Sequence, residues 1–329
     1  MIISPHDPFV IGGKLLHAGV LRRINPLAFT KKSRVKARWK QTDEPLLRHW
    51  YQLQVVIDRL NLRITGDPSV SFHDMVCKRY LNDGKDRRAL ALGCGSGGRE
   101  LDWARRGVFT EILGLDIVPD RIARAKQDAA RQNLTNIARF QVSDVNTLVA
   151  QGEKFDVVLF EHSLHHFTDV KGTLARIERI LAPDGFLIVD EYVGPRRFQW
   201  TPAQLNTADG LLHSIPARYR RFINSTRTKN RNLRAGTLLM WLNDPSEAVE
   251  SDAIVPEVER QYDVLARHDY GGTITQLLFQ DIAHHFVVDD GDNIVWANLI
   301  LDAEEYLISK GMLASDFTAF ICKPSLRKH

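Results

Sequence analysis

From Arg88 to Tyr192 the chain alternates short apolar runs with amphipathic segments. The runs RALAL (88–92), ILGLD (112–116), ARFQVSD (138–144), DVVLFEH (156–162) and GFLIVDEY (185–192) read as strands. Their near-continuous apolar character suits strands covered on both faces. Between them, PDRIARAKQDAARQN places Ile122, Ala125 and Ala129 on one helical face, and VKGTLARIERIL places Leu174, Ile177 and Leu181 on another. APDG then makes the turn into the fifth strand. The alternation predicts βα units wound about a parallel sheet, an α/β class.

Two late runs, YDVLARHDYGG (262–272) and DFTAFICKP (316–324), can complete the sheet as strands six and seven. TITQLLFQDIAHHF and NIVWANLILDAEEYLISKG read as helices between them. From 193 to about 260 the rhythm is broken by Pro195, Pro202, Pro216, Pro245 and Pro256, as expected of an insertion folded over the carboxyl edge of the sheet. The pattern therefore divides the chain into a basic helical extension (1–85), a core (86–192), a lid (193–260) and the end of the core (261–329). In the extension, LLRHWYQLQVVIDRLNLRI is the clearest helix.

Composition changes this picture little. Of 329 residues, 44% are hydrophobic and 26% charged, an ordinary globular mix. There is no apolar run of about eighteen residues, which argues against a membrane span. Cys77, Cys94 and Cys322 lie far apart without metal-type spacing, and the N-terminus lacks the features of a signal peptide, so the expected compartment is the cytoplasm.

The net charge of +4 is uneven. No acidic residue falls between Asp7 and Asp43, an interval that holds Lys14, Arg22, Arg23 and six further lysines and arginines. A second basic cluster, TRTKNRNLR, spans 226–234. Such clusters contact nucleic acid, anionic lipid or phosphorylated substrates, or are merely solvated. No aromatic interleaving or zinc motif accompanies them, so no nucleic-acid partner is expected.

Chemistry enters at LALGCGSGG, where the first strand breaks into glycines. Gly93, Gly95 and Gly97 give the turn access to positive φ and to close ligand approach, and the next helix turns its free N–H groups toward an anionic group. Asp116, ending the second strand, can accept both hydroxyls of a ribose. The same loop satisfies the dinucleotide pattern G-x-G-x-x-G through Gly93, Gly95 and Gly98. Asp144, ending the third strand, can accept from an adenine amine, or be a turn residue.

Taken in order, LALGCGSGG, LGLDIVPDRI, VSDV, FDVVLFEHSLHHF and LAPDGFLIVDEY resemble the class I S-adenosylmethionine-dependent methyltransferases. The resemblance implies their Rossmann-like fold, a doubly wound, mostly parallel seven-stranded sheet whose seventh strand is antiparallel. It also implies S-adenosyl-L-methionine as cofactor, with Gly93, Cys94, Gly95 and Gly97 around the methionine end, Asp116 and Ile117 at the ribose, and Asp144 and Val145 framing the adenine. Glu161 and His162 are expected at the cofactor's amino end. The flanking segments resemble a bacterial subgroup acting on glycans or small metabolites, which fixes no acceptor and no oligomeric state.

In an open parallel sheet the ligand lies where strand order reverses, so the EHSLHHF loop after strand four is the expected acceptor side. A histidine there suits removal of a hydroxyl proton. His165 is the first candidate base and His166 the second, with Glu191 a further acid at the acceptor. A metal set of His162, His165, Glu191 and His284 can be drawn, but the usual zinc spacings are missing and no metal ligand is assigned. Tyr192, Phe198, Gln199, Trp200 and Tyr219 are candidate lining for an acceptor pocket, and Arg196, Arg197 and the 227–234 cluster for an anion. Two other readings stay open: an NAD(P)-dependent oxidoreductase and an RNA-binding or RNA-modifying protein.

Overall fold

The computed structural model of the chain describes residues 2–5, 7, 49–143 and 152–325. Seven strands form one sheet: β1 (Arg88–Leu92), β2 (Glu111–Asp116), β3 (Ala138–Val142), β4 (Phe155–Glu161), β5 (Leu181–Tyr192), β6 (Tyr262–Gly271) and β7 (Phe317–Pro324). Their order is β3-β2-β1-β4-β5-β7-β6. The first five are parallel, and β7 runs antiparallel to both β5 and β6. Strand order reverses between β1 and β4, which places the switch point at the glycine loop.

Strand periodicity sends alternate residues to two apolar layers. Ala89, Ala91, Val157, Leu159 and Ile188 face one layer; Leu90, Leu92, Val158, Phe160, Leu187 and Val189 face the other. The first layer is covered by α1 (Gln54–Thr65), α2 (Phe72–Tyr80), α3 (Gly98–Ala104) and α4 (Pro119–Arg131), the second by α5 (Val170–Ile180). In α4 the predicted stripe of Ile122, Ala125 and Ala129 is the buried face. Asp169 caps α5 by accepting from Gly172 N–H, satisfying one of the free donors of the first turn.

Between β5 and β6 lie α6 (Pro202–Ser214), α7 (Thr237–Asn243) and α8 (Ser251–Gln261). Ile254 and Val258 of α8 are buried in the same cluster as Leu174 and Ile177 of α5. The segment expected as a lid therefore ends in a helix of the core.

Three element boundaries differ from the sequence pattern. The helix expected over 273–286 splits into α9 (Thr275–Phe279) and a 3-10 turn, Ala283–Phe286. The break has a cause: Lys229 Nζ draws off the carbonyls of Leu277, Leu278 and Gln280, and Asp281 takes a positive φ of 68°. Of the helix expected from 46, residues 46–48 lie outside the described residues; in the described part a 3-10 turn, Trp50–Gln52, whose Trp50 ring packs 5.3 Å from Phe317 of β7, precedes an α-helix that starts at Gln54. Finally, β5 begins at Leu181 rather than Gly185, with a register shift opposite it between Phe155 and Val157. The last long helix, α10 (Asp292–Ser309), forms as expected and packs Ala297, Ile300 and Leu301 onto the first layer.

Among the described residues, no helix is long and apolar enough to cross a membrane. The basic interval 14–40 lies outside the described residues, as do Asp144 and Val145.

Candidate active site

The glycine loop after β1 uses all three expected positive-φ positions: Gly93 at 69°, Gly95 at 57° and Gly97 at 79°. A side chain at Gly97 would meet Phe140 at 2.7 Å and Ala125 at 2.8 Å. A side chain at Gly93 would meet Ser163 Cβ at 2.8 Å. At these two positions it is the protein itself that approaches the backbone, closing the loop onto β3, α4 and the turn after β4. Gly98 differs: a Cβ there meets nothing within 4 Å, so the third glycine of the dinucleotide pattern has no packing role.

Asp116 is buried and organises this loop. Its Oδ2 accepts Gly95 N–H at 3.0 Å and its Oδ1 accepts Val118 N–H at 2.8 Å. A carboxylate offers about four lone-pair sites, so two remain for further donors. Ile117 follows directly in the chain. The Cys94 thiol is pushed well up by burial and by the nearby Glu100 and Asp116 carboxylates, so it is not a nucleophile.

On the first layer, between the Trp50–Gln52 turn, α1 and the ends of β4 and β5, lies a cavity of about 160 Å³. Tyr51, Arg99, His162, Asp190 and Tyr270 give it its polar lining. His162 has a positive φ of 53°, which turns the chain out of β4, and its N–H donates to Asp190 O at 2.7 Å. The next residue is the Ser163 that touches Gly93, so cavity and glycine loop are one residue apart.

Asp190 accepts from the Tyr270 hydroxyl and lies 3.5 Å from His162 Nε2. Burial opposes its charge, but His162, Arg99 and Tyr270 outweigh burial and keep the carboxylate ionised. Arg99, in the first turn of α3, is held charged against burial by Glu161 and Asp190. Its Nη1 is buried without a hydrogen-bond partner among the described residues.

Glu161, expected at the cofactor's amino end, makes two contacts to protein side chains. Its Oε1 pairs with His73 Nε2 at 2.6 Å and its Oε2 accepts from Trp103 Nε1 at 2.9 Å. His73 bonds Asp102 through its other nitrogen at 2.7 Å, and the two carboxylates, against the cost of burial, raise its pKa to about 9.

The 3-10 turn Leu164–His166 follows directly on Ser163. His165 is buried, with Nδ1 2.6 Å from Glu191 Oε2 and Nε2 3.5 Å from Glu247 Oε1. Burial lowers its pKa, but the two carboxylates dominate and bring it to about 10, so His165 is an imidazolium at neutral pH. Glu191 also accepts the backbone N–H groups of Ser163 and Leu164, and so holds the turn rather than facing outward. His166 has the reverse character: burial and the neighbouring His165 charge lower its pKa. Its Nδ1 is 3.3 Å from Ser246 Oγ.

The loop bearing Ser246 and Glu247 is clamped over this turn. Val249 N–H donates to His165 O, and the Arg197 guanidinium donates to the carbonyls of Asp244, Pro245 and Glu247. Arg197 is therefore a structural clamp, not an anion receptor. Arg196 pairs with Asp252, Lys229 with the carbonyls of Leu277, Leu278 and Gln280, and Arg234 with Trp200 O. Most of the candidate anion-binding cations thus fasten the 193–260 segment to itself or to α9.

The candidate pocket aromatics are mainly core. Tyr192, Trp200 and Tyr219 are buried; Phe198 stacks on Trp200 at 5.2 Å and meets Tyr192 edge-on at 4.7 Å. Gln199 donates to Arg197 O and Ala235 O. The metal set drawn from the sequence does not assemble either: Glu191 binds the far side of the His165 ring, and the His284 ring lies tilted against His285. Sequence reading missed Arg99, Asp190, Tyr270 and Glu247. Arg99 and Asp190 were legible in principle, one beside the glycine loop and one at the end of a predicted strand.

Residues 90–189 match the family described as a methyltransferase domain. The chain is 30% identical over 108 residues to the uncharacterized methyltransferase YcgJ of Bacillus subtilis, covering 32% of this chain and 42% of that protein. It is 35% identical over 101 residues to a ubiquinone biosynthesis O-methyltransferase of Cereibacter sphaeroides, covering 31% and 39%. The chain thus spans less than half the length of these curated relatives. Among solved structures, geranyl diphosphate C-methyltransferase from Streptomyces coelicolor superposes with a TM-score of 0.50 at 14% identity, over 91% of this chain and 100% of that one, a likeness of fold.

Proposed function

We propose, from the premise that residues 90–189 are a class I S-adenosylmethionine-dependent methyltransferase domain, that this chain methylates a hydroxyl of a small molecule held under the 193–250 segment. The observation that carries the reading is the buried, unpartnered Nη1 of Arg99, a residue that lines one small cavity together with the ionised Asp190. A guanidinium donor and a carboxylate in one small enclosure match the carboxylate and ammonium of an amino-acid end. An orphaned buried donor costs about 1–3 kcal/mol, which a ligand carboxylate offsets.

The remaining parts follow the loop. Gly93, Cys94, Gly95 and Gly97 bring backbone against the methionine chain, and the unused lone pairs of Asp116, with Ile117 beside it, take the ribose hydroxyls. Asp144 and Val145 keep the adenine role that the resemblance implies. His162 lines the methionine end with Tyr51.

S-adenosylmethionine supplies an electrophilic methyl group, whose transfer to an acceptor oxygen breaks its carbon–sulfur bond and leaves S-adenosylhomocysteine. The protein's share is alignment, exclusion of water, and removal of the acceptor proton. His165, already protonated, is poorly suited to accept it; the lowered pKa of His166 and the carboxylate of Glu247 suit the task better. Glu191 positions the turn. A small-molecule hydroxyl is favoured over a glycan hydroxyl by relatives named for O-methylation in ubiquinone biosynthesis and of tocopherol.

Incubation with methyl-labelled S-adenosylmethionine and a panel of hydroxylated aromatic and isoprenoid acceptors tests this. Label transferred to an acceptor oxygen supports the reading. Label appearing only on carbon or nitrogen acceptors refutes the hydroxyl assignment.

A further inference from the structure

We propose that His165, His166 and Glu247 form a binding site for one divalent transition-metal ion of the zinc class. One ring nitrogen of each histidine and one carboxylate oxygen of Glu247 lie within 4.8 Å of one another. His165 Nε2 stands 3.5 Å from Glu247 Oε1. Two donors bonded at about 2.0–2.1 Å to one tetrahedral ion are roughly that far apart.

The surroundings are those of metal-binding imidazoles. Glu191 holds Nδ1 of His165 at 2.6 Å and is itself fixed by two backbone N–H groups, so Nε2 is the nitrogen presented to Glu247. Such a carboxylate sets the tautomer and raises the basicity of the ligating nitrogen. A parallel relay serves the second ring. Ser246 Oγ donates its proton to Asp244 Oδ1 at 2.6 Å, which leaves its oxygen to accept Nδ1–H of His166 at 3.3 Å.

A second, independent observation is a spare buried acceptor beside the cluster, on a carboxylate that acts on the His166 charge. Asp244 is buried, and its Oδ2 has no hydrogen-bond partner among the described residues. Three carboxylates, Glu191, Asp244 and Glu247, therefore surround two imidazoles. Nitrogen donors with one carboxylate suit a borderline ion such as Zn²⁺ or Co²⁺ better than Mg²⁺ or Ca²⁺. Three protein donors leave one tetrahedral position for an outside oxygen, as in catalytic zinc sites.

Only the ion's task rests on the methyltransferase reading. Beside the acceptor, it lowers the pKa of the hydroxyl that attacks the methyl group, the role otherwise assigned to His166 and Glu247.

The full chain, stripped with a chelator, is titrated with ZnCl₂, CoCl₂ and MgCl₂, and bound metal is counted by mass spectrometry alongside the visible spectrum of Co²⁺. One Zn²⁺ or Co²⁺ per chain is expected, with the intense bands of four-coordinate Co²⁺. Affinity should fall at least about 100-fold in Glu247→Gln and His166→Asn, and about 10–100-fold in Glu191→Gln. Two ligand variants are used so that a folding failure in one leaves the other as readout. The proposal is overturned if the wild type takes up no stoichiometric metal, prefers Mg²⁺, or is matched by both ligand variants. S-adenosylhomocysteine binding is measured separately on the same stripped protein. Metal uptake without it keeps the metal site and sinks the methyltransferase reading; the opposite result does the reverse.

Discussion

Glu191 Oε2 lies 2.6 Å from His165 Nδ1, while Oε1 of the same carboxylate accepts the N–H groups of Ser163 and Leu164. One side chain at the end of β5 thus fixes both the backbone and the ring of the turn that follows β4. Removing it strands a buried imidazolium and two backbone donors. Glu191→Ala should cost about 3–5 kcal/mol in denaturant unfolding, the penalty for one partner of a buried ion pair. Glu191→Gln, which still accepts hydrogen bonds, should cost less. Equal stability of Glu191→Ala and wild type would show that the turn does not depend on this contact.

The His73 bridge between Asp102 and Glu161 predicts a pH dependence. The folded pKa of about 9 stands above the ordinary value of 6.5, so the folded state binds the proton more tightly. Its stabilising contribution is fully present below about pH 6.5 and is lost as pH rises through about 9. The melting temperature of the wild type should therefore fall across this window more steeply than that of His73→Gln. Parallel profiles for the two proteins would contradict the bridge.

The glycine loop separates two kinds of nucleotide site by substitution. Gly97→Ala combines a positive φ of 79° with contacts below 3 Å to Phe140 and Ala125, and should cost at least about 1–3 kcal/mol. Gly98→Ala meets open space and, at a helix N-terminus, should leave both stability and cofactor affinity within experimental error. Loss of cofactor binding in Gly98→Ala would restore the dinucleotide pattern.

The central strands were legible because they are buried on both faces, so apolar runs such as RALAL and DVVLFE mark them directly. What the pattern could not show was competition among polar groups in space. Glu161 and Glu191 sit at strand ends as expected, yet His73 and His165, from distant segments, claim them. Glu247 meets His165 through a loop that Arg197 pins by three carbonyls and Val249 N–H ties to His165 O, contacts without any periodic signature. Arg99 was hidden by its neighbours: beside glycines that attract attention, an arginine in the first turn of a helix reads as a solvated charge.

The acceptor wall makes a kinetic prediction. His166→Ala should lower kcat about 10²-fold while leaving S-adenosylhomocysteine affinity nearly unchanged, because the proposed function assigns the cluster to the acceptor oxygen and not to the cofactor. Initial rates with a responsive acceptor, paired with cofactor titration, check this. A loss confined to cofactor affinity would reassign His166 to packing beneath the methionine end.

The central claim is that this fold holds S-adenosylmethionine with its amino-acid end on Arg99 and Asp190. Calorimetric titration of S-adenosylhomocysteine into the wild type and into Arg99→Met tests it most directly. The account predicts one saturable site per chain in the wild type and an affinity at least about 10-fold weaker in Arg99→Met, from loss of a charge-assisted hydrogen bond. Circular dichroism confirms that the variant is folded. Absence of binding to the wild type, or equal affinity in the two proteins, would contradict it.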